Sequence, residues 1–599
     1  MKVLLKKLSK NKKHGVYFSL KALTVKYIMM VKGRIKFMKK IILFLLTVFC
    51  IFTVTSCNQK QDDLNNEDDN TNQTPEVPNT DNNEDETPPQ VEPEFTYDYN
   101  KGLSVGGFAY DMTLNKVAES DTNYIKVSTP MEFMDAIRVK AKESSSDNPM
   151  VIEILNDLNL GYLEIGDDVV NKYKSNGLTD FDKYAKNGTF IHSKVLLESG
   201  VSQIEISDVN NVIIYSKNGA TIKHAGFKVT RCENLAFRNL RFDEMWQWED
   251  SFTHPSWGST TGYKLGDYDF YGWAYFKINF CENIWIDHCE FGKSYDGQID
   301  VANESKNVHI SWCNFLAGDM SDFVVNQMEE VKEYYEMVKK VQSGEIETFE
   351  GYDENKNKYY EFLRDSGIDH ETIVDAIAMP QKKGFLIGDS DDPNDGQWET
   401  NKEITFSIAN CYFKNFQDRI PRLRGGNAYI YNTIIDSTDF FNARQKIKTM
   451  DNYKDIASQI STNGWKLSLT SQAMVTSNGG AVKYKNMIVR GVDEVIKINN
   501  KDVTNIIYTG KYEVENSLFV LGDYSYLGDS GVVGSPWTNT SLTPSLDFRW
   551  NTTGGILPFE VEDLDVSKLE EILTNEKYGV GVKNASDFGY SFLQSDYTI

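Results

Sequence analysis

ENLAFRNLRF at Glu233–Phe242, ENIWIDHCEF at Glu282–Phe291 and KNVHISWCNF at Lys306–Phe315 align without gaps, and ITFSIANCYF at Ile404–Phe413 is a looser fourth copy. Each alternates apolar and polar side chains, the pattern of a strand buried on one face. Phe291 and Phe315 are 24 residues apart; Phe242 and Phe291 are 49 apart, which reads as two such periods with a loop's slack. Hairpins would bring turn signals about every 8–12 residues, whereas a period in the low to mid twenties suits one coil of a parallel β-helix. Like residues then stack on like. Phe242, Phe291, Phe315 and Phe413 are expected to form an aromatic ladder, Cys289, Cys313 and Cys411 a thiol stack, and Asn234, Asn283 and Asn307 a row of turn residues at strand starts. All three rows hold coils in register and do no chemistry.

A coil stack needs closed ends. VSTPMEFMDAIRVKAKE, Val127–Glu143, has apolar residues at helical spacing after a Ser-Thr-Pro start and predicts a helix capping the first coil. LDVSKLEEILTNE, Leu564–Glu576, is the candidate closure at the far end. The charged, helix-prone stretch from about 322 to 380 breaks the strand rhythm and reads as a helical insertion on one face.

The first residues are not fold. Residues 1–40 hold 13 Lys and Arg and no Asp or Glu, followed by an uncharged apolar run, Ile41–Thr55, and then VTSC ending at Cys57. A basic start, a short apolar core and small residues before a Cys are the parts of a lipoprotein export signal. MKKIILFLL from Met38 is a complete start by itself. We therefore read 1–37 as a non-native extension, 38–56 as the signal and Cys57 as the lipidated residue, which implies a secreted protein anchored to a bacterial outer membrane or cell surface. Residues 57–95 are nearly all polar and acidic, a composition that cannot offset ordering entropy and reads as a disordered tether. The folded region is 96–599.

The net charge of −24 becomes −37 without the 13 basic groups of the leader, so nucleic acid is a poor partner and the membrane is met only through the lipid. An acidic protein handles an acidic polymer only where a local basic cluster or a bound cation reverses the field. Cys232, Cys281, Cys289, Cys313 and Cys411 are odd in number and form no CxxC pair, which argues against zinc and for buried thiols, one disulfide being compatible with export.

Three further patterns, WIDHCEF at Trp285–Phe291, DGQID at Asp296–Asp300 and RIPRLRGG at Arg419–Gly426, resemble the pectate lyase superfamily in this order, from about residue 95 to the C-terminus. The resemblance implies an all-β, right-handed, single-stranded parallel β-helix acting on polygalacturonate or pectin, as a monomer. It implies a Ca²⁺ ion held by Asp296 and Asp300, whose hard oxygens suit that ion. It also implies that Arg419 removes the C5 proton of a galacturonosyl unit and that Arg424 binds substrate carboxylate. A catalytic, substrate-binding Lys is expected one coil earlier. If the helical stretch is an insertion, Lys383 falls there, and we prefer it to Lys382. Ala274 stands where the family carries a further Asp; calcium would then be weaker, recruit Asp267 or Asp269, or need substrate to complete its shell, or the enzyme would resemble the calcium-free pectin lyases of methyl-esterified chains. His288 and His309 read as coil residues. MWQWED, Met245–Asp250, lines the cleft or packs a loop. The rivals are a polygalacturonase-type hydrolase, whose carboxyl pair and Gly-His-Gly pattern are not visible, and a non-catalytic glycan-binding solenoid.

Overall fold

Each repeat of the ENLAFRNLRF type folds as two strand segments joined by a bend: Glu233–Arg238 with Arg241–Asp243, Glu282–Asp287 with Glu290–Phe291, Lys306–Ser311 with Asn314–Phe315, and Thr405–Ala409 with Tyr412–Lys414. The bend needs a left-handed residue, with φ of 56° at Asn239, 49° at His288, 50° at Trp312 and 52° at Asn410. Asn tolerates that region readily, whereas His288 and Trp312 adopt it at a cost that their packing offsets. Their rings stack 5.8 Å apart on successive coils.

The computed structural model describes residues 97–99, 104–165, 201–248, 272–318, 320–390, 397–499, 509–528, 548–551, 557–561 and 563–584. The extension 1–37, the signal 38–56, Cys57 with the tether to 95, Asp267, Asp269 and the last two residues of MWQWED lie outside the described residues.

Among the described residues of the unit Glu94–Ile599 run two sheets, one of 18 strands and one of eight. Their pairings are parallel except for a terminal hairpin, Ser517–Leu521 with Tyr524–Gly528. The fold is the expected right-handed parallel β-helix. Phe242, Phe291, Phe315 and Phe413 are partners in register, with ring centroids 5.0, 4.7 and 4.6 Å apart. Burying each ring is worth about 2–3 kcal/mol. The thiols of Cys313 and Cys411 accept from the backbone N–H of Cys289 and Cys313, each at 3.4 Å, and Cys232 and Cys281 form a second stack; all five thiols are free and buried. The Asn row is a ladder of amides, Asn283 Nδ2 donating to Asn234 Oδ1 at 3.0 Å and Asn307 Nδ2 to Asn283 Oδ1 at 2.9 Å.

Two expectations are corrected. Because Phe242 pairs directly with Phe291, the two are one coil apart, not two periods. The helix Val566–Leu573 does not close the far end. Val566, Leu569 and Ile572 pack on Trp312, Ile434 and Ile488, an apolar stripe on the outer flank of successive coils.

The first coil is capped as expected. Helix Pro130–Arg138 starts from a capping box between Thr129 and Glu132 and buries Phe133, Met134 and Ile137, with Phe133 edge-on to Phe227. Between Asn314–Phe315 and Phe385–Ile387 the chain leaves the coil as the expected helical insertion, with helices Phe323–Gln342, Lys358–Asp365 and His370–Ile373. It packs on the described part of MWQWED: Gln327 bonds the backbone of Trp246 and Trp248, both buried.

Candidate active site

The eight-stranded sheet and the corners before its strands bring the candidate residues together. Along one row across its strands, Lys277, Asp300, Leu386 and Arg422 are successive register partners. Just before three of those strands the chain turns a corner, and the corners stack. Gln298 N donates to Gly384 O at 2.7 Å, Gly384 N to Asp418 O at 2.8 Å and Phe385 N to Arg419 O at 2.6 Å. Asp296, Lys383 and Arg419 therefore occupy neighbouring corners, although 123 residues separate the first from the last. Gly384 permits this approach, since a Cβ there would collide with the Arg419 carbonyl. Gly297 serves Asp300 likewise, a Cβ there lying 3.1 Å from Asp300 Oδ1.

Lys383 Nζ is 2.7 Å from Asp296 Oδ1, both side chains mostly buried. Gln381, fully buried, secures that corner from below, its Nε2 donating to the carbonyls of Asp296 and Lys383, each at 2.8 Å. Arg419 has φ of 70° and a buried Nε with no protein partner. Asp300 keeps some solvent contact, but the surrounding protein desolvates it. That desolvation, and then the Asp296 carboxylate, pushes its pKa up to about 6 against the pull of Lys277, Arg419 and Lys383. Next to this group opens a concavity of about 260 Å³ whose walls include Lys382, Lys383, Arg419, Arg422 and Lys466 against the single carboxylate of Asp418. Burial raises the Asp418 pKa. On a strongly acidic chain this is the local reversal of field that an anionic polymer requires.

Sequence reading missed Lys277, Arg422, Lys466 and Gln381. Arg424 is not among the residues lining the concavity: it sits two residues beyond Arg422 on the strand Arg422–Arg424, its Nη1 donating to Asp389 O at 2.9 Å. His288 and His309 are buried. His288 bonds the carboxylate of Asp287, which also accepts from Arg238 and Ser311. His309 meets Ser407 at 2.9 Å, a pair invisible from sequence spacing, but the hydroxyl already accepts from Phe108 N at 3.0 Å and burial drives the imidazole pKa down to about 4. The pair is a covered structural contact.

A family profile described as pectate lyase matches residues 353–514, which include Lys383, Arg419 and Arg424. The chain is 31% identical over 413 residues to pectate lyase B of Paenibacillus amylolyticus, covering 68% of this chain and 89% of that one. The chain belongs to the pectate lyase family. A solved pectate lyase from Paenibacillus sp. 0602, 31% identical, superposes with a TM-score of 0.65 over 83% of this chain and 99% of its own. The pectate trisaccharide-lyase of Bacillus licheniformis is more distant, 24% identical over 331 residues, 52% of this chain and 69% of that one. As a pectate lyase the protein is a polysaccharide lyase.

Pectate lyases in general use Ca²⁺. That ion takes six to eight oxygens at roughly 2.3–2.6 Å. Among the described residues no group of three or more His, Cys, Asp or Glu is placed to hold a metal. Asp296 and Asp300 are two donors, one of them already bonded to Lys383, and Ala274 is buried and offers none. The described residues do not by themselves fit the ion.

Proposed function

We propose that this pectate lyase cleaves α-1,4-linked polygalacturonate by β-elimination, releasing unsaturated oligogalacturonides. The observation that carries the reading is the stacked corner in which Arg419 stands beside Lys383 and Asp300 at the edge of a basic concavity. Arg419 takes the C5 proton, the electron pair forms the C4–C5 double bond, the C4–O bond breaks, and the leaving oxygen takes up a proton from bulk water. Neither a nucleophile nor an activated water is needed. A guanidinium is an awkward base because its pKa normally lies above about 12. Lys383, oriented by Asp296, neutralises the uronate carboxylate and so makes the adjacent C5 proton more acidic. Arg424 binds a neighbouring carboxylate with its planar fork.

Product chemistry tests this. Digested polygalacturonate should gain the ultraviolet absorbance of an unsaturated uronate in step with new reducing ends; reducing ends without absorbance would mean hydrolysis. Ala274, at a position where the family carries a carboxylate, favours one second reading, a pectin lyase preferring methyl-esterified chains without calcium. Faster elimination from highly esterified pectin than from polygalacturonate would select it.

Export, anchoring through Cys57 and a monomeric state belong to the same proposal. The support for export and anchoring is the basic, apolar and small-residue order of 38–57. In a Gram-negative bacterial host, Cys57→Ser is expected to abolish radiolabelled fatty-acid incorporation; undiminished labelling would contradict it.

A further inference from the structure

The two carboxylates at the candidate corner have cationic side chains of the chain near them, Lys383 paired with Asp296 and Lys277 close by. Strand Phe276–Asn279 sets Lys277 in register beside Asp300. A Cβ built on Gly272 would lie 3.4 Å from Lys277 Nζ and 3.8 Å from Asp296 Oδ2, so the ammonium and the second carboxylate border one small space. On the other side Lys383 Nζ is 2.7 Å from Asp296 Oδ1. Lys277 and Lys383 bring two positive charges against the two negative charges of Asp296 and Asp300, so the carboxylates are balanced by the chain before any metal arrives. A dication at the same place would have to sit beside the Lys277 and Lys383 ammonium groups, with two carboxylates as its acidic donors among the described residues.

We propose that Lys277 is the resident cation of this active site, its ammonium bridging Asp300 and Asp296 to the substrate carboxylate, so that the enzyme cleaves unesterified polygalacturonate without Ca²⁺. An ammonium suits this bridging role because it is a compact point charge with three donors and no acceptor, enough for two aspartates and one uronate oxygen. The inference rests on the elimination reading and concerns only which cation serves it.

The test uses the full chain, polygalacturonate stripped of metal, and excess chelator, with ultraviolet absorbance as readout and calorimetric titration of CaCl₂ into enzyme alone as a second measurement. Wild type should keep its rate in chelator and show no Ca²⁺ binding heat abolished by Asp296→Asn. Lys277→Met, which keeps the stem packed, should lose about 10²-fold or more in turnover under chelator while its thermal unfolding midpoint stays near wild type. Lys277→Ala combined with Ala274→Asp should bind Ca²⁺ and recover turnover only when it is added. Wild-type activity that vanishes in chelator and returns with Ca²⁺ would overturn the role of Lys277 and leave the lyase reading standing. Full activity of Lys277→Met in chelator would do the same. Absence of unsaturated product with and without Ca²⁺ would overturn both.

Discussion

At the scale of single residues, Asp300 shows what the site costs. Its pKa, pushed up to about 6 by desolvation and by Asp296, lies above the ordinary aspartate value. A carboxyl raised in this way binds its proton more tightly folded than unfolded, so stability is full below the ordinary value and falls as pH rises through the window up to about 6. Its ionisation costs at most about 3 kcal/mol. Asp300→Asn should therefore raise the thermal midpoint at about pH 8, lose that gain near pH 4, and lower activity; destabilisation at both pH values would contradict this account. The motifs DGQID and RIPRLRGG made Asp296, Asp300 and Arg419 legible, because turn glycines and a Pro fix their local geometry whatever the surrounding coils do. Lys277 was not legible. It is one polar position in an alternating strand, and its meaning arises only from being in register with Asp300. Arg422 and Lys466 acquire theirs in the same way, by lining one concavity.

At the scale of elements, stacking of like on like carries the stability. Phe315 is fully buried between Phe291 and Phe413, with interplanar angles of 8° and 2°. Phe315→Ala should cost about 3–5 kcal/mol, read as a lower urea midpoint, because coils held on both sides cannot collapse into the gap. A loss well under 1 kcal/mol would mean that the ladder is incidental. The repeat, the capping helix and the helical insertion were readable because alternation and helical spacing are local signals. Two features were not. A spacing of 49 fits either two short coils or one coil with an excursion, and only the pairing of Phe242 with Phe291 decides between them. The amphipathic helix Val566–Leu573 announces an apolar face, but its partner is set by Trp312, Ile434 and Ile488, three residues from distant coils that meet only when the stack is built.

At the scale of the whole molecule, coil stacking gathers Lys382, Lys383, Arg419, Arg422 and Lys466 on one wall of a chain of net charge −24, which is the patch that the proposed action on an acidic polymer needs. Composition alone shows the need for such a patch and cannot locate it. The same stacking joins Arg419 to Asp296, Asp300 and Lys383, and the insertion between coils, by displacing Lys383 from its neighbours in sequence, leaves its corner unchanged. The central claim is that this assembled corner removes a proton through Arg419. The most direct measurement is elimination by Arg419→Ala against wild type on polygalacturonate, followed by ultraviolet absorbance, with binding of the polymer measured in parallel. Turnover should fall about 10³-fold or more while binding largely survives; an undiminished rate of unsaturated product would remove Arg419 from the reaction and contradict the account.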